Sequence, residues 1–322
     1  MRYRKLGRTG LEISDIGYGA WGIGGKQWKG ATDEESVEAL RRAFELGVNF
    51  IDTALAYGDG HSEQLVGQVV KQAPHRIHIA TKVPPKNRVW PALPDTSIDQ
   101  VFPYDYIISS TEESLRNLRV DTIDLQQLHV WTDAWVNRDE WRRAFEDLKK
   151  SGKVQAVGVS LTEHDPDSGL EVVGTGLIDA VQVIYNVFDQ TPEKNLFPAC
   201  RQHDIGVLAR VPLDEGGLTD AFSADASFEG DEFRAWYFRG DRPKQIVEHR
   251  DALKADLKDV PGTLAEAALQ FCLSNPAVST VIPGMRRRKN VESNCAVSDR
   301  GPLPENIRDR LKHHAWFRNF YL

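Results

Sequence analysis

Short apolar runs alternate with amphipathic, charge-edged segments along almost the whole chain. The first apolar run covers residues 16–19. Residues 33–46 then place Val37, Leu40, Ala43 and Phe44 on one face, with Thr32 or Asp33 as a cap and Gly47 as a stop, which predicts a helix. Further strand-like runs fall at 48–52, 77–82, 122–129, 154–160, 180–185, 206–210 and 279–282. Helical patterns lie at 63–72, 106–118, 140–150, 195–203, 264–273 and 289–297. Such alternation implies parallel strands with helices outside, and strands apolar on both faces suit a sheet covered twice. Eight strand units predict one closed (β/α)8 TIM barrel, an α/β fold. An open doubly wound sheet is the competing fold, but no Gly-x-Gly-x-x-Gly turn follows the first strand. Gly22, Gly24 and Gly25 lack that spacing and read as a flexible loop.

Four segments stand outside the repeat. Residues 3–6 and 11–14 flank the turn Arg8-Thr9-Gly10 and predict a hairpin closing the barrel bottom. Residues 84–103 carry five prolines and Trp90, and residues 213–261 include Phe233, Trp236, Tyr237 and Phe238; both read as long rim loops. Residues 302–322 read as a tail with one helix at 305–314. Loops this long in a compact domain usually serve function. A barrel of this kind takes about 250 residues plus extras, so residues 1–322 are expected to form a single domain.

Composition narrows the function classes. A net charge of -7 argues against nonspecific affinity for nucleic acid or anionic membranes. No apolar stretch approaches the ~20 residues needed to span a bilayer, and Met1-Arg2-Tyr3-Arg4-Lys5 lacks a secretory core. Cys200, Cys272 and Cys295 are scattered, odd in number and without metal spacing, so they are expected to be free, core-packed thiols in a reducing cytoplasmic setting. Nothing in the pattern bears on oligomeric state.

Asp52, Lys82 and His129 each close a strand-like run, and Tyr57 lies in the loop after one. In a barrel, that rim carries chemistry. Tyr57 is a phenol with an ordinary pKa of about 10. Lys82 is expected to lower it, Asp52 to hold Lys82, and His129 to hydrogen-bond a substrate oxygen. Together they form a proton donor tuned toward neutral pH beside a polarising group, which suits carbonyl reduction by hydride or its reverse. Singly, each has a plainer reading: a turn cap, a packed aromatic, a solvated lysine, a core histidine. Convergence of all four on one rim favours the chemistry.

Ile51-Asp52-Thr53-Ala54 with Ala56-Tyr57-Gly58, Ala80-Thr81-Lys82, Leu128-His129, Val157-Gly158-Val159-Ser160 and Ile282-Pro283-Gly284 resemble the aldo-keto reductase superfamily, in register from about Arg4 to Asn294. The resemblance implies NADP(H), a small carbonyl substrate, no metal, and Asp52, Tyr57, Lys82 and His129 as a catalytic tetrad with Tyr57 as general acid. It also implies cofactor contacts from Trp21, Asp52, Ser160, Gln182, Arg210, Pro212, Leu213, Gly217, Gly284, Arg286, Asn290 and Asn294. Ser160 and Gln182 match residues that bind the nicotinamide carboxamide, the loop from Leu213 to Leu218 lies over the pyrophosphate, and Arg286 meets the 2′-phosphate at a cation-rich helix start. Three positions depart from the pattern: Leu161 replaces an amide-binding Asn, Ser293 replaces an acidic residue, and Arg210 stands where an aromatic usually stacks on the nicotinamide. A guanidinium there is expected to disfavour the oxidised, positively charged ring, unless Asp214 or Glu215 pairs with it.

Trp21, Tyr57, Trp90, His129 and Trp131 are the candidate substrate pocket. About half of the rim aromatics, which also include Trp135, Trp236 and Tyr237, are expected to line it. That lining suggests a substrate with apolar or ring character. A cofactor-binding regulatory or redox-sensing subunit with little turnover is the alternative, and a barrel hydrolase a weaker third.

Overall fold

A computed structural model describes residues 1–322. Strands β1 (Tyr3–Lys5) and β2 (Glu12–Ser14) form the expected antiparallel hairpin. Eight parallel strands follow: β3 (Tyr18–Gly19), β4 (Phe50–Asp52), β5 (His78–Val83), β6 (Ile123–Leu128), β7 (Val154–Ser160), β8 (Ala180–Ile184), β9 (Gly206–Arg210) and β10 (Thr280–Val281). They pair in sequence order, and bridges from Ile16 to Val281 and from Gly19 to Gly284 join the last strand to the first. The sheet is therefore a closed barrel.

Side chains alternate across each strand. Phe50, Ala80, Leu125, Ala156, Ala180 and Leu208 project inward as one apolar layer, with Ile282 just past β10. Leu6, Leu11 and Ile13 of the hairpin segment join that layer, so the hairpin plugs the barrel bottom.

Helices α1 (Asp33–Glu45), α2 (His61–Val69), α3 (Ile98–Val101), α4 (Tyr104–Leu118), α5 (Asp139–Lys150), α6 (Leu170–Gly174) and α7 (Leu196–Gln202) intervene up to β9. Helices α8 (Phe233–Tyr237), α9 (Arg242–Asp256) and α10 (Leu264–Leu273) precede β10, and α11 (Arg288–Ala296) and α12 (Glu305–Leu311) follow it. Thr32 and Glu35 form a capping box on α1, as do Thr263 and Glu266 on α10.

Two expected rim loops need correction, the first because residues 84–103 contain the short α3. Residues 213–261 are not one irregular loop, because they contain α8 and the fifteen-residue α9. The buried stripe of α9 is Pro243, Ile246, Arg250 and Leu253, so a proline and an arginine occupy positions where an amphipathic pattern needs aliphatics. Arg250 is tolerated there because it donates to the Phe222 carbonyl and to Asp251. The segment between β7 and β8 also holds α6, too short to leave a periodic signal. All three cysteines are free and buried in helices, as expected.

Candidate active site

The inward parity of the apolar layer continues two residues along each strand. It turns Asp52, Lys82, Gln127, Gln182 and Arg210 toward the barrel axis at its C-terminal end, and Ser160 follows four residues after Ala156. Lys82 Nζ donates to Asp52 Oδ2 at 2.6 Å, to the Thr53 carbonyl at 2.8 Å and to the Tyr57 hydroxyl at 3.2 Å. Lys82 and Asp52 are both buried. Asp52 Oδ1 accepts from Gln182 Nε2 at 2.7 Å and from Gln127 Nε2 at 3.4 Å. The Tyr57 and His129 rings meet edge to face at 5.6 Å. The four tetrad candidates are thus brought together. Gly58 makes this possible: a Cβ there would strike the Gly24 carbonyl, so the Tyr57 loop and the Trp21 loop can touch only through a glycine.

The electrostatics correct one expectation. Tyr57 is pushed above the ordinary phenol value, because enclosure by the protein outweighs the lowering effect of Lys82 and Asp52 adds to the rise. Its proton is retained, not loosened, at neutral pH. Burial works against the Lys82 charge, yet Asp52 and Tyr57 together hold the ammonium above its usual pKa. His129 lies well below the usual imidazole value, through enclosure first and then repulsion from Lys82 and Arg210. It is a neutral ring, and its Nδ1 is buried without a partner.

The candidate cofactor residues lie at or just beyond the C-terminal ends of barrel strands and on α11. Ser160 is buried beside Gln182 in the β7–β8 register. Pro212, Leu213 and Gly217 follow β9, and Gly284 is exposed just after β10. Arg210 pairs with Glu163 at 3.2 Å and donates to the Leu161 carbonyl at 3.1 Å. Its partner is therefore neither Asp214 nor Glu215. Leu161 is buried beneath Gly169 and offers only its backbone to Arg210. Arg286 is half-buried, donates to the Lys29 carbonyl and lies 5.7 Å from the Trp28 ring. Burial lowers its pKa, and the neighbouring Arg234 and Arg287 lower it further. Asn294 is buried on α11, whereas Asn290 is exposed at its start.

On the substrate side, Trp21 stacks on Tyr57 at 6.1 Å and Trp90 stands edge-on to His129 at 5.8 Å. Trp131 does not line the rim. It has no accessible surface and packs edge-on against Trp135 and Trp141, so it supports the wall from behind. Trp135 and Tyr237 are buried as well, leaving Trp21, Trp90 and Trp236 accessible. Three residues near the site escaped the sequence reading. Gln127 holds Asp52 and accepts from Gln182 at 3.3 Å; its inward parity with Leu125 was the available signal. Trp28, whose indole N–H is buried and unpaired, lies in the loop after β3, and Arg234, 4.8 Å above that ring, lies in the five-residue α8; neither segment carries a local pattern.

The model of the Aldo/keto reductase family matches residues 15–315. The chain is 31% identical over 301 residues to the aldo-keto reductase YhdN of Bacillus subtilis, covering 91% of this chain and 87% of that protein. The glycerol dehydrogenase AKR11B4 of Gluconobacter oxydans superposes with a TM-score of 0.80 at 28% identity, over 97% of this chain and 94% of that one. Similar proteins also include the NADH-specific methylglyoxal reductase of Escherichia coli, 26% identical over 92% of this chain and 93% of that protein. A probable voltage-gated potassium channel subunit beta of Arabidopsis thaliana is 28% identical over 94% of this chain and 93% of that protein.

Proposed function

Because the chain belongs to the aldo/keto reductase family, we propose that it reduces an aldehyde or ketone to an alcohol with NADPH, and that Tyr57 delivers the proton. The observation carrying this reading is the buried Asp52–Lys82 pair touching a protonated Tyr57 beside a neutral His129. NADPH, when bound, supplies the hydride. Tyr57 holds a proton at neutral pH, as a general acid must. Lys82, donating to the phenol oxygen, stabilises the phenolate left when that proton moves to the substrate oxygen. Asp52 keeps the ammonium aimed. The neutral His129 ring, partly accessible at the rim beside Tyr57, would orient the substrate oxygen.

The residues fit a phosphorylated dinucleotide. Arg286 is crowded by Arg234 and Arg287, a cluster that a 2′-phosphate would relieve. Ser160 and Gln182 would hold the carboxamide, Pro212 to Gly217 would cover the pyrophosphate, and Asn290 and Asn294 would meet the adenine. The Glu163 carboxylate balances Arg210, which removes the electrostatic ground for disfavouring an oxidised ring. Trp21 and Trp90 favour a substrate with a ring or apolar body. This reading treats residues 1–322 as one domain working in the cytoplasm, where the three free thiols would stay reduced.

The test is NADPH oxidation across a panel of aldehydes and ketones, wild type beside Tyr57→Phe. Loss of turnover by about 10²–10⁴-fold in the variant is expected. Undiminished turnover in Tyr57→Phe would remove the tyrosine acid. Tight NADPH binding with no turnover on any carbonyl would instead favour a cofactor-binding regulatory role, the kind of role the name of the Arabidopsis relative carries.

A further inference from the structure

We propose that residues 316–321 clamp the loop at 211–217, with Arg318 and Tyr321 as positioning residues for nicotinamide cofactor binding. The inference rests on the NADPH reading above. Val211, Asp214 and Glu215 have φ of 55°, 50° and 54°. The left-handed region is costly for any of these side chains and most of all for a β-branched valine. A segment with three such residues in five keeps its shape only when its surroundings impose it.

The surroundings do so from two sides. Below, Asn186 Nδ2 donates to the Val211 carbonyl at 2.9 Å. Above, the buried Arg318 guanidinium pairs with the buried Asp214 carboxylate, to which Tyr237 also donates at 3.1 Å. Tyr321 donates to Glu215 Oε1 at 2.7 Å. The clamp is itself anchored. The Arg318 cation lies 5.1 Å from the Phe188 ring, 4.4 Å from Trp316 and 5.2 Å from Phe320. Trp316 N–H donates to the Phe188 carbonyl at 2.9 Å, and Arg242 of α9 donates to the Phe320 carbonyl at 2.8 Å.

The loop's glycines depend on this arrangement. A Cβ on Gly217 would meet Asp214 Oδ2 at 2.9 Å, so the carboxylate that Arg318 holds packs directly on the second glycine. A Cβ on Gly216 would meet nothing, which leaves that face open to a ligand. Neither Arg318 nor Tyr321 bonds to Asp52, Tyr57, Lys82 or His129. Releasing the clamp therefore frees the loop without disturbing the tetrad. Cofactor affinity falls and cofactor release quickens, while the chemical step is spared.

The experiment is a fluorescence titration of the full chain with NADPH, paired with steady-state kinetics at saturating NADPH, for wild type, Tyr321→Phe, Arg318→Met and Arg318→Lys. Arg318→Met should raise the NADPH Kd about tenfold or more, and Tyr321→Phe about threefold. Arg318→Lys should recover part of the loss. In all of them kcat at saturation should equal or exceed wild type. An unchanged Kd in Tyr321→Phe together with unchanged Kd in folded Arg318→Met overturns the clamp, as does a fall in kcat at constant Kd. Should Arg318→Met fail to fold, Tyr321→Phe decides, with amide hydrogen exchange at 213–217 as the second readout: faster exchange is expected and unchanged exchange overturns. Wild type binding neither NADPH nor NADH would sink the preceding functional reading itself, and the clamp's cofactor role with it.

Discussion

Lys82 and Asp52 should depend on each other for burial, and a double-variant cycle measures that dependence. Their charged atoms lie 2.6 Å apart, and both side chains are almost wholly covered. Removing one partner of such a pair typically costs about 3–5 kcal/mol, because the other charge stays buried alone. In Lys82→Met, Asp52 Oδ2 loses its partner, and only Gln182 at 2.7 Å and Gln127 at 3.4 Å remain, both on Oδ1. In Asp52→Asn, the ammonium keeps the Thr53 carbonyl at 2.8 Å and an amide oxygen, so the loss should fall at the lower end. The double variant removes both charges and should lose less than the sum, with a coupling energy of about 2–3 kcal/mol. At roughly 2 °C per kcal/mol for a chain of this size, each single variant should melt about 6–10 °C below wild type. Calorimetry at pH 7 without cofactor avoids stabilisation by bound ligand. Additive losses, with coupling near zero, would refute a mutually dependent buried pair.

Reduction by a protonated phenol is lost only when that phenol ionises. With Tyr57 raised and His129 lowered, kcat/KM should therefore stay level from about pH 6 to 9 and fall only near or above pH 10. A limb near pH 6.5 that vanishes in His129→Gln would contradict this. Glu215 is pushed up to about 7 by burial, from 4.5. Between those values the folded chain keeps a proton that the unfolded chain has lost, so stability should decline as pH rises from 4.5 to 7. Glu215→Gln should flatten that part of the Tm–pH curve, and an unaltered slope would count against the buried carboxyl. Arg286→Ala should weaken NADPH by about tenfold or more and leave NADH nearly unchanged, measured as the ratio of the two Kd values. An unchanged ratio would remove Arg286 from 2′-phosphate recognition.

Local periodicity was enough to place the strands β7 and β9 and the helix α10 at their observed limits, because each is set by its own run of side chains. Alternation of strand and helix was enough for the barrel, since parallel strands require crossovers and a sheet covered on both faces. That Asp52, Lys82 and His129 would meet at one rim was legible for the same reason: strand ends fix the rim, and parity of two fixes which side chains turn inward. Other features needed the fold. The direction of the Tyr57 shift depends on how completely the protein encloses the phenol, a quantity no spacing encodes. Trp131 and Trp90 look alike in a rim segment, yet one is covered by Trp135 and Trp141 and the other stands free. Arg210 found Glu163, 47 positions away, and Asp214 found Arg318, 104 positions away. The chain's own pattern decides which elements form and which face each residue takes. Only closure of the barrel decides which distant charges meet, because burial and pairing are properties of the packed whole.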